Sequence, residues 1–162
     1  MQKDMKQLKC NNEESFLLCE YDCVFLDKSF VWLNDPELQK GMDIHKKITR
    51  EEQEKWFATL PHRNDYKIWG IKCADEPIGA CGFRNITKTT GEITIFIGEK
   101  KYWGGAGKQI LSLLENKASE MSFEYIFAKI LRSNNRSKNL FYHRGFVEYG
   151  NDEKFILMQK KL

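Results

Sequence analysis

Between a run of β-branched and aromatic residues, Glu92-Ile93-Thr94-Ile95-Phe96-Ile97, and a helical apolar pattern at Ile110, Leu111, Leu113, Leu114 and Ala118 stands the turn Tyr102-Trp103-Gly104-Gly105-Ala106-Gly107. Glycine lets the backbone turn sharply and lets a ligand come close to its amides. The first turn of the helix that follows offers unpaired N–H groups and the positive end of the helix dipole. Together they form an anion site suited to a phosphate or pyrophosphate, and Lys108 adds a full positive charge beside it. Taken alone, the same residues also describe a tight turn that holds no ligand. Two other phosphate loops are disfavoured. No G-x-x-x-x-G-K-S/T motif is present, and the dinucleotide fingerprint G-x-G-x-x-G would need glycine at Ile110.

The elements that must position this turn read as an alternation of strands and helices. Phe16 to Tyr21 suits a first strand. From Asp22 to Asn34 the apolar residues recur at helical spacing, and Asn34-Asp35-Pro36 stops that helix. Thr49-Arg50-Glu51-Glu52 is a capping box opening a helix with Trp56, Phe57 and Leu60 on one face, ending before Pro61. Strands are expected over Tyr66 to Lys72, Ile78 to Phe83 and Glu92 to Ile97, with Ala74-Asp75-Glu76 turning between the first two. After the helix that begins at Gly107 come a strand, Tyr125 to Leu131, and a shorter helix, Asn134 to Arg144, closed by Gly145. Two last strands are expected around Phe146-Tyr149 and Phe155-Met158. The pattern predicts one mixed α/β domain over residues 1–162, with no repeat or linker dividing it.

Composition excludes more than it selects. A formal charge of +3, spread evenly, gives no footprint for nucleic acid. The five cysteines, Cys10, Cys19, Cys23, Cys73 and Cys81, are odd in number and contain no C-x-x-C pair. Neither a disulfide framework nor a metal site follows, and a reducing interior is the simpler home for them. The polar start Met1-Gln2-Lys3-Asp4 carries no secretory signal, and no apolar run approaches the roughly 20 residues of a membrane helix. A cytoplasmic protein without a membrane partner is expected. His45, His62 and His143 stand in polar surroundings and read as surface residues; Trp32, Trp56 and Trp69 read as core or cleft wall.

Tyr102-x-x-Gly105-x-Gly107, placed between strand and helix, resembles the acetyl-CoA signature (Gln/Arg)-x-x-Gly-x-(Gly/Ala) of the GNAT superfamily of N-acetyltransferases. Tyrosine stands where that pattern has Gln or Arg, at a position that contributes mainly its backbone. A second stretch, Asn134-Asn135-Arg136-Ser137-Lys138-Asn139-Leu140-Phe141-Tyr142-His143-Arg144-Gly145-Phe146, is similar to the family's N-x-x-S-x-x-L-Y-x-x-x-G-F. Trp32-Leu33-Asn34-Asp35-Pro36 resembles the W-x-N-D-P segment of the bacterial subgroup that acetylates ribosomal-protein N-termini and amino-sugar nucleotides.

The resemblance implies a mostly antiparallel central sheet, splayed between its fourth and fifth strands and flanked by helices on both faces. It implies acetyl-CoA as co-substrate. The backbone of Ile95, Phe96 and Ile97 would pair with the pantetheine arm, and Trp103, Gly104, Gly105, Ala106, Gly107 and Lys108 would hold the pyrophosphate. Asn134, Ser137 and Phe141 would face the cofactor from beyond the splay, Asn134 serving also as a helix N-cap. Glu92 falls where several members keep a general-base glutamate. The family's proton-donating tyrosine falls on Phe141, which has no proton to give. Tyr142 is rotated from it by about 100° on a helix. The thiolate would then leave to solvent or to backbone amides. A small-molecule amine is the implied acceptor, an amino-sugar nucleotide first and a protein N-terminus second. A homodimer is compatible with this reading, and so is a non-catalytic module that only binds acyl-CoA.

Overall fold

The computed structural model describes residues 16–162; Cys10 and the N-terminal start read above lie outside the described residues. Strand β1, Phe16–Glu20, leads into helix α1, Cys23–Trp32, whose first amides are capped by the Asp22 carboxylate. The stop at Pro36 is also a start. Asp35 accepts from the Glu37 and Leu38 amides and Pro36 takes the first helical position, so a short helix α2, Pro36–Met42, starts there. It ends at Asp43, whose φ of 58° is left-handed. Helix α3, Arg50–Thr59, opens on the expected capping box: the Thr49 hydroxyl accepts from the Glu52 amide at 3.1 Å, and the Glu52 carboxylate takes the Thr49 amide in return.

Strands β2, Lys67–Cys73, and β3, Glu76–Arg84, are joined by Ala74 and Asp75, both at positive φ, the two-residue turn that matches strand twist. Strand β4, Thr90–Ile97, is followed by helix α4, Ala106–Glu120, and strand β5, Tyr125–Leu131. Helix α5, Asn135–His143, ends at Gly145 with φ +89°, and strands β6, Val147–Asn151, and β7, Phe155–Lys161, close the chain. The seven strands lie in the order β1-β2-β3-β4-β5-β7-β6. All neighbours are antiparallel except β4 and β5, which the α4 crossover makes parallel.

Two cores cover the two faces of the sheet. Ile110, Leu111, Leu114 and Ala118 of α4 and Phe141 of α5 pack on Ile71, Phe83, Ile93, Ile126 and Ile130. On the other face Tyr21, Phe25 and Leu26 pack on Ala80, with Trp56, Phe57 and Phe96 around them. The expected mixed fold, splayed between the fourth and fifth strands with helices on both faces, is the one observed. Among the described residues no helix is long and apolar enough to cross a membrane.

Tyr21 gives the second core a titratable group. Its hydroxyl donates to Ser29 Oγ at 2.8 Å, and burial pushes the phenol up to about 12. The folded value lies above the unfolded value of about 10, so folding favours the neutral phenol. The corresponding stabilisation is complete below about pH 10 and is lost as pH rises toward about 12. Denaturant titrations at pH 8 and pH 11 should show wild type losing more stability than Tyr21→Phe across that interval. Equal losses would remove Tyr21 as the cause.

Candidate active site

Strands β4 and β5 pair at only three positions, Thr90 with Tyr125, Gly91 with Ile126 and Glu92 with Phe127. Beyond them the two strands part while both continue, β4 to Ile97 and β5 to Leu131. On its other side β4 stays paired with β3 up to Ile97. The Gly98 amide donates to the Ile78 carbonyl, which fixes the alternation: Glu92, Thr94 and Phe96 turn their backbone groups to β3, and Ile93, Ile95 and Ile97 turn theirs to the gap. The Phe96 carbonyl accordingly lies against Gly79 of β3. Of the three residues expected to pair with a ligand, Ile95 and Ile97 face the splay and Phe96 does not. Its ring instead packs on the opposite face, 6.3 Å from that of Trp32.

The glycine turn sits at the end of this gap. Trp103 Nε1 donates to the Ile97 carbonyl at 2.7 Å, fastening the turn to the tip of β4. Gly105 caps α4 without a side-chain hydrogen bond, so the first-turn amides are left to a ligand or to water. A Cβ at Gly104 or Gly105 would meet nothing within 4 Å, whereas one at Gly107 would come within 2.8 Å of Leu140 Cδ2. The first two glycines therefore open space, and the third lets α4 and α5 approach. Lys108 is exposed beside them, and Arg136 lies 5.7 Å over the Trp103 ring. Asn134 caps α5 by accepting from the Ser137 amide at 3.1 Å, and its Nδ2 reaches the Gly41 carbonyl at 3.5 Å.

A cavity of about 360 Å³ fills the splay, bounded by Ile93 and Ile95 on one arm, Ala128 and Ile130 on the other, and Asn134, Ser137 and Phe141. A second cavity of about 550 Å³ lies on the α1–α3 face of β4, walled by Tyr21, Trp56, Tyr66 and Ile68. His45 is exposed, as expected, at the rim of this second cavity and bonds Asp43 at 2.5 Å; Lys154 holds the other Asp43 oxygen at 2.8 Å. Hydrogen bonds from Lys154, first, and from His45 keep the Asp43 carboxyl below the usual range. Glu92 stands where the strands begin to part, its carboxylate bonded to Arg84, its partner in the β3–β4 register. It lines neither cavity, while Arg84 lines both. Tyr142 points to solvent at 69% exposure, so its hydroxyl does not stand in for a proton donor at Phe141.

Sequence reading missed Arg84 and Asp43. A cross-strand register through the Asn85–Thr89 turn would have set Arg84 opposite Glu92, but nothing local marks Asp43.

The splayed parallel pair thus leads to an uncapped helix start beside open glycines, an arrangement whose free amides suit an anion. A model of the Acetyltransferase (GNAT) domain matches residues 24–147. The chain belongs to this GNAT family of acetyl-CoA-dependent N-acetyltransferases. It is 27% identical over 139 residues to the uncharacterized protein MJ1062 of Methanocaldococcus jannaschii, covering 81% of this chain; it spans only 28% of that relative's length. Among solved structures, the spermidine N-acetyltransferase of Vibrio cholerae in complex with CoA and spermine superposes with a TM-score of 0.83 at 16% identity, over 91% of this chain and 95% of that one. The Campylobacter jejuni N-acetyltransferase PseH gives 0.74 at 19% identity, over 91% and 98%. A domain from Methanocaldococcus jannaschii gives 0.81 at 23% identity, again over 91% and 98%. At these identities the likeness is one of fold.

Proposed function

We propose that this chain transfers an acetyl group from acetyl-CoA to a primary amine by direct attack, and that the amine belongs to an amino sugar carried on a nucleotide. The observation that carries the donor half is the splay beyond Glu92 and Phe127, leading to open glycines at an uncapped helix start. Trp103 to Lys108 would take the pyrophosphate, and Ile95 and Ile97 the pantetheine amides. Asn134, Ser137 and Phe141 would close the far side. The CoA present in the Vibrio cholerae relative, and the acetyl coenzyme A in a second PseH structure, support the same donor.

The acceptor half rests on charge. Asp43 is engaged by His45 and Lys154, and Glu52 by Lys46 at 3.1 Å. Among the described residues lining the larger cavity, every carboxylate thus already faces a cation. A polyamine brings extra ammonium groups that would find no vacant partner there. A compact hydroxylated ring with one amine suits the walls of Trp56, Tyr66 and Tyr21, which offer flat apolar faces with polar tips.

Thiol release from acetyl-CoA should be at least about tenfold more efficient, in kcat/KM, with nucleotide-linked amino sugars than with spermidine, a gap of about 1.4 kcal/mol. A preference for spermidine or for a peptide N-terminus would overturn the acceptor assignment. Tight CoA binding without thiol release for any amine would favour a binding module.

A further inference from the structure

The two cavities meet along a short common wall. Met42, Asp43, Arg84, Thr94 and Ile95 line both. A thioester reaching in from the splay and an amine held in the larger cavity touch only there. Two of the five residues carry charge, and they differ in how fully it is engaged. Both Asp43 oxygens are taken, one by His45 and one by Lys154. Arg84 is held through Nε by Glu92, and its terminal Nη groups make no hydrogen bond among the described residues. The common wall therefore has a partnered anion and a cation with donors to spare. The Phe141 ring, which has no proton to give, lines the splay cavity beside it.

We propose that Arg84 takes up the negative charge that develops during acetyl transfer, and that Glu92 acts by fixing Arg84 rather than by removing the proton of the amine. This rests on the acetyl-CoA reading above. The amine lone pair forms the C–N bond and the carbonyl π pair moves onto oxygen. That pair returns as the C–S bond breaks, and the bonding pair leaves with sulfur as the CoA thiolate. The protons shed by the amine pass to water, and the thiolate is later protonated from water. Preorganised donors aimed at developing charge are among the largest catalytic effects. A guanidinium suits this task because it stays charged at every working pH.

Other groups facing the wall are Lys129 on β5, the Asp43 pair with His45 and Lys154, and Tyr66, whose phenol burial pushes up and Arg84 pulls down. Thr94 faces the Tyr66 phenol without a well-formed hydrogen bond. Lys129 and Lys154 are the other fixed cations near the wall, and each is tested against Arg84.

The thiol of bound CoA, titrated by its thiolate absorbance, should ionise about one pH unit lower in wild type than in Arg84→Met. Turnover in Arg84→Met should fall about 100-fold with little change in the acetyl-CoA KM, and Glu92→Gln should lower turnover without changing the shape of the pH–rate profile. Arg84 is half exposed, so its loss empties no core, and Glu92→Gln keeps the volume of the side chain it replaces. Identical thiol titrations in wild type and Arg84→Met would overturn the proposal, as would a shift that follows Lys129→Met or Lys154→Met instead. Loss of the acid limb in Glu92→Gln would make Glu92 the base. A protein that fails to bind CoA at all would remove the donor reading as well; one that binds it with an unshifted thiol removes only this inference.

Discussion

Gly105→Val should leave the fold standing and lower CoA affinity about 100-fold, close to 2.7 kcal/mol. Loss of fold and loss of binding, which usually travel together, separate at this position. In the free protein a Cβ at Gly105 meets nothing within 4 Å, so the added side chain displaces no neighbour. Exchanging glycine at a helix N-cap for an aliphatic residue costs on the order of 1 kcal/mol of helix stability. The same side chain occupies the space through which a pyrophosphate must approach the first-turn amides of α4. Gly107→Val is the internal contrast, because its Cβ falls within 2.8 Å of Leu140 and overpacks the α4–α5 contact. Calorimetric titration with CoA, beside a melting curve, distinguishes the two. Undiminished affinity in Gly105→Val would mean that the anion lies elsewhere.

The largest loss of stability is expected for Phe83→Ala, at ~3–5 kcal/mol. Phe83 is fully buried. Its ring meets Trp69 edge-on at 6.0 Å and Phe123 at 5.3 Å. Its Cβ and the Phe123 ring also sit against Gly91, at the three-residue junction that holds β4 to β5. The cavity left behind cannot be filled by moving backbone that two strands already share. A drop in melting temperature of roughly 6–20 °C follows for a chain of this length. A drop below about 3 °C would show that the junction relaxes around the gap.

Much of the frame was legible because it is local. The β-branched run at Ile93–Ile97, the capping box at Thr49 and the glycine stop at Gly145 each carry their physics within a few residues. Helix α2 was equally local and was still missed. Asn34-Asp35-Pro36 ends one helix and, with Asp35 as cap and Pro36 at the first helical position, begins another. The direction of the Phe96 backbone depends on the β3–β4 register, which a single strand does not contain. The wall shared by the two cavities draws on residues 42–43, 84 and 94–95. Those segments meet only when α2, β3 and β4 are assembled, so no spacing in the chain announces them.

The three-rung junction between β4 and β5 has a thermodynamic consequence. Among the described residues, strands β5, β7 and β6 are joined to the rest of the sheet through that junction alone. A donor whose amides pair with Ile95 and Ile97 extends the ladder that the protein leaves incomplete. Binding and folding then draw on one free energy, since a ligand that prefers the native chain stabilises it in proportion to its occupancy. Substitutions that loosen β5 against α5, far from any atom of the ligand, should therefore weaken the donor's hold, and saturating donor should rescue chains that are marginal without it.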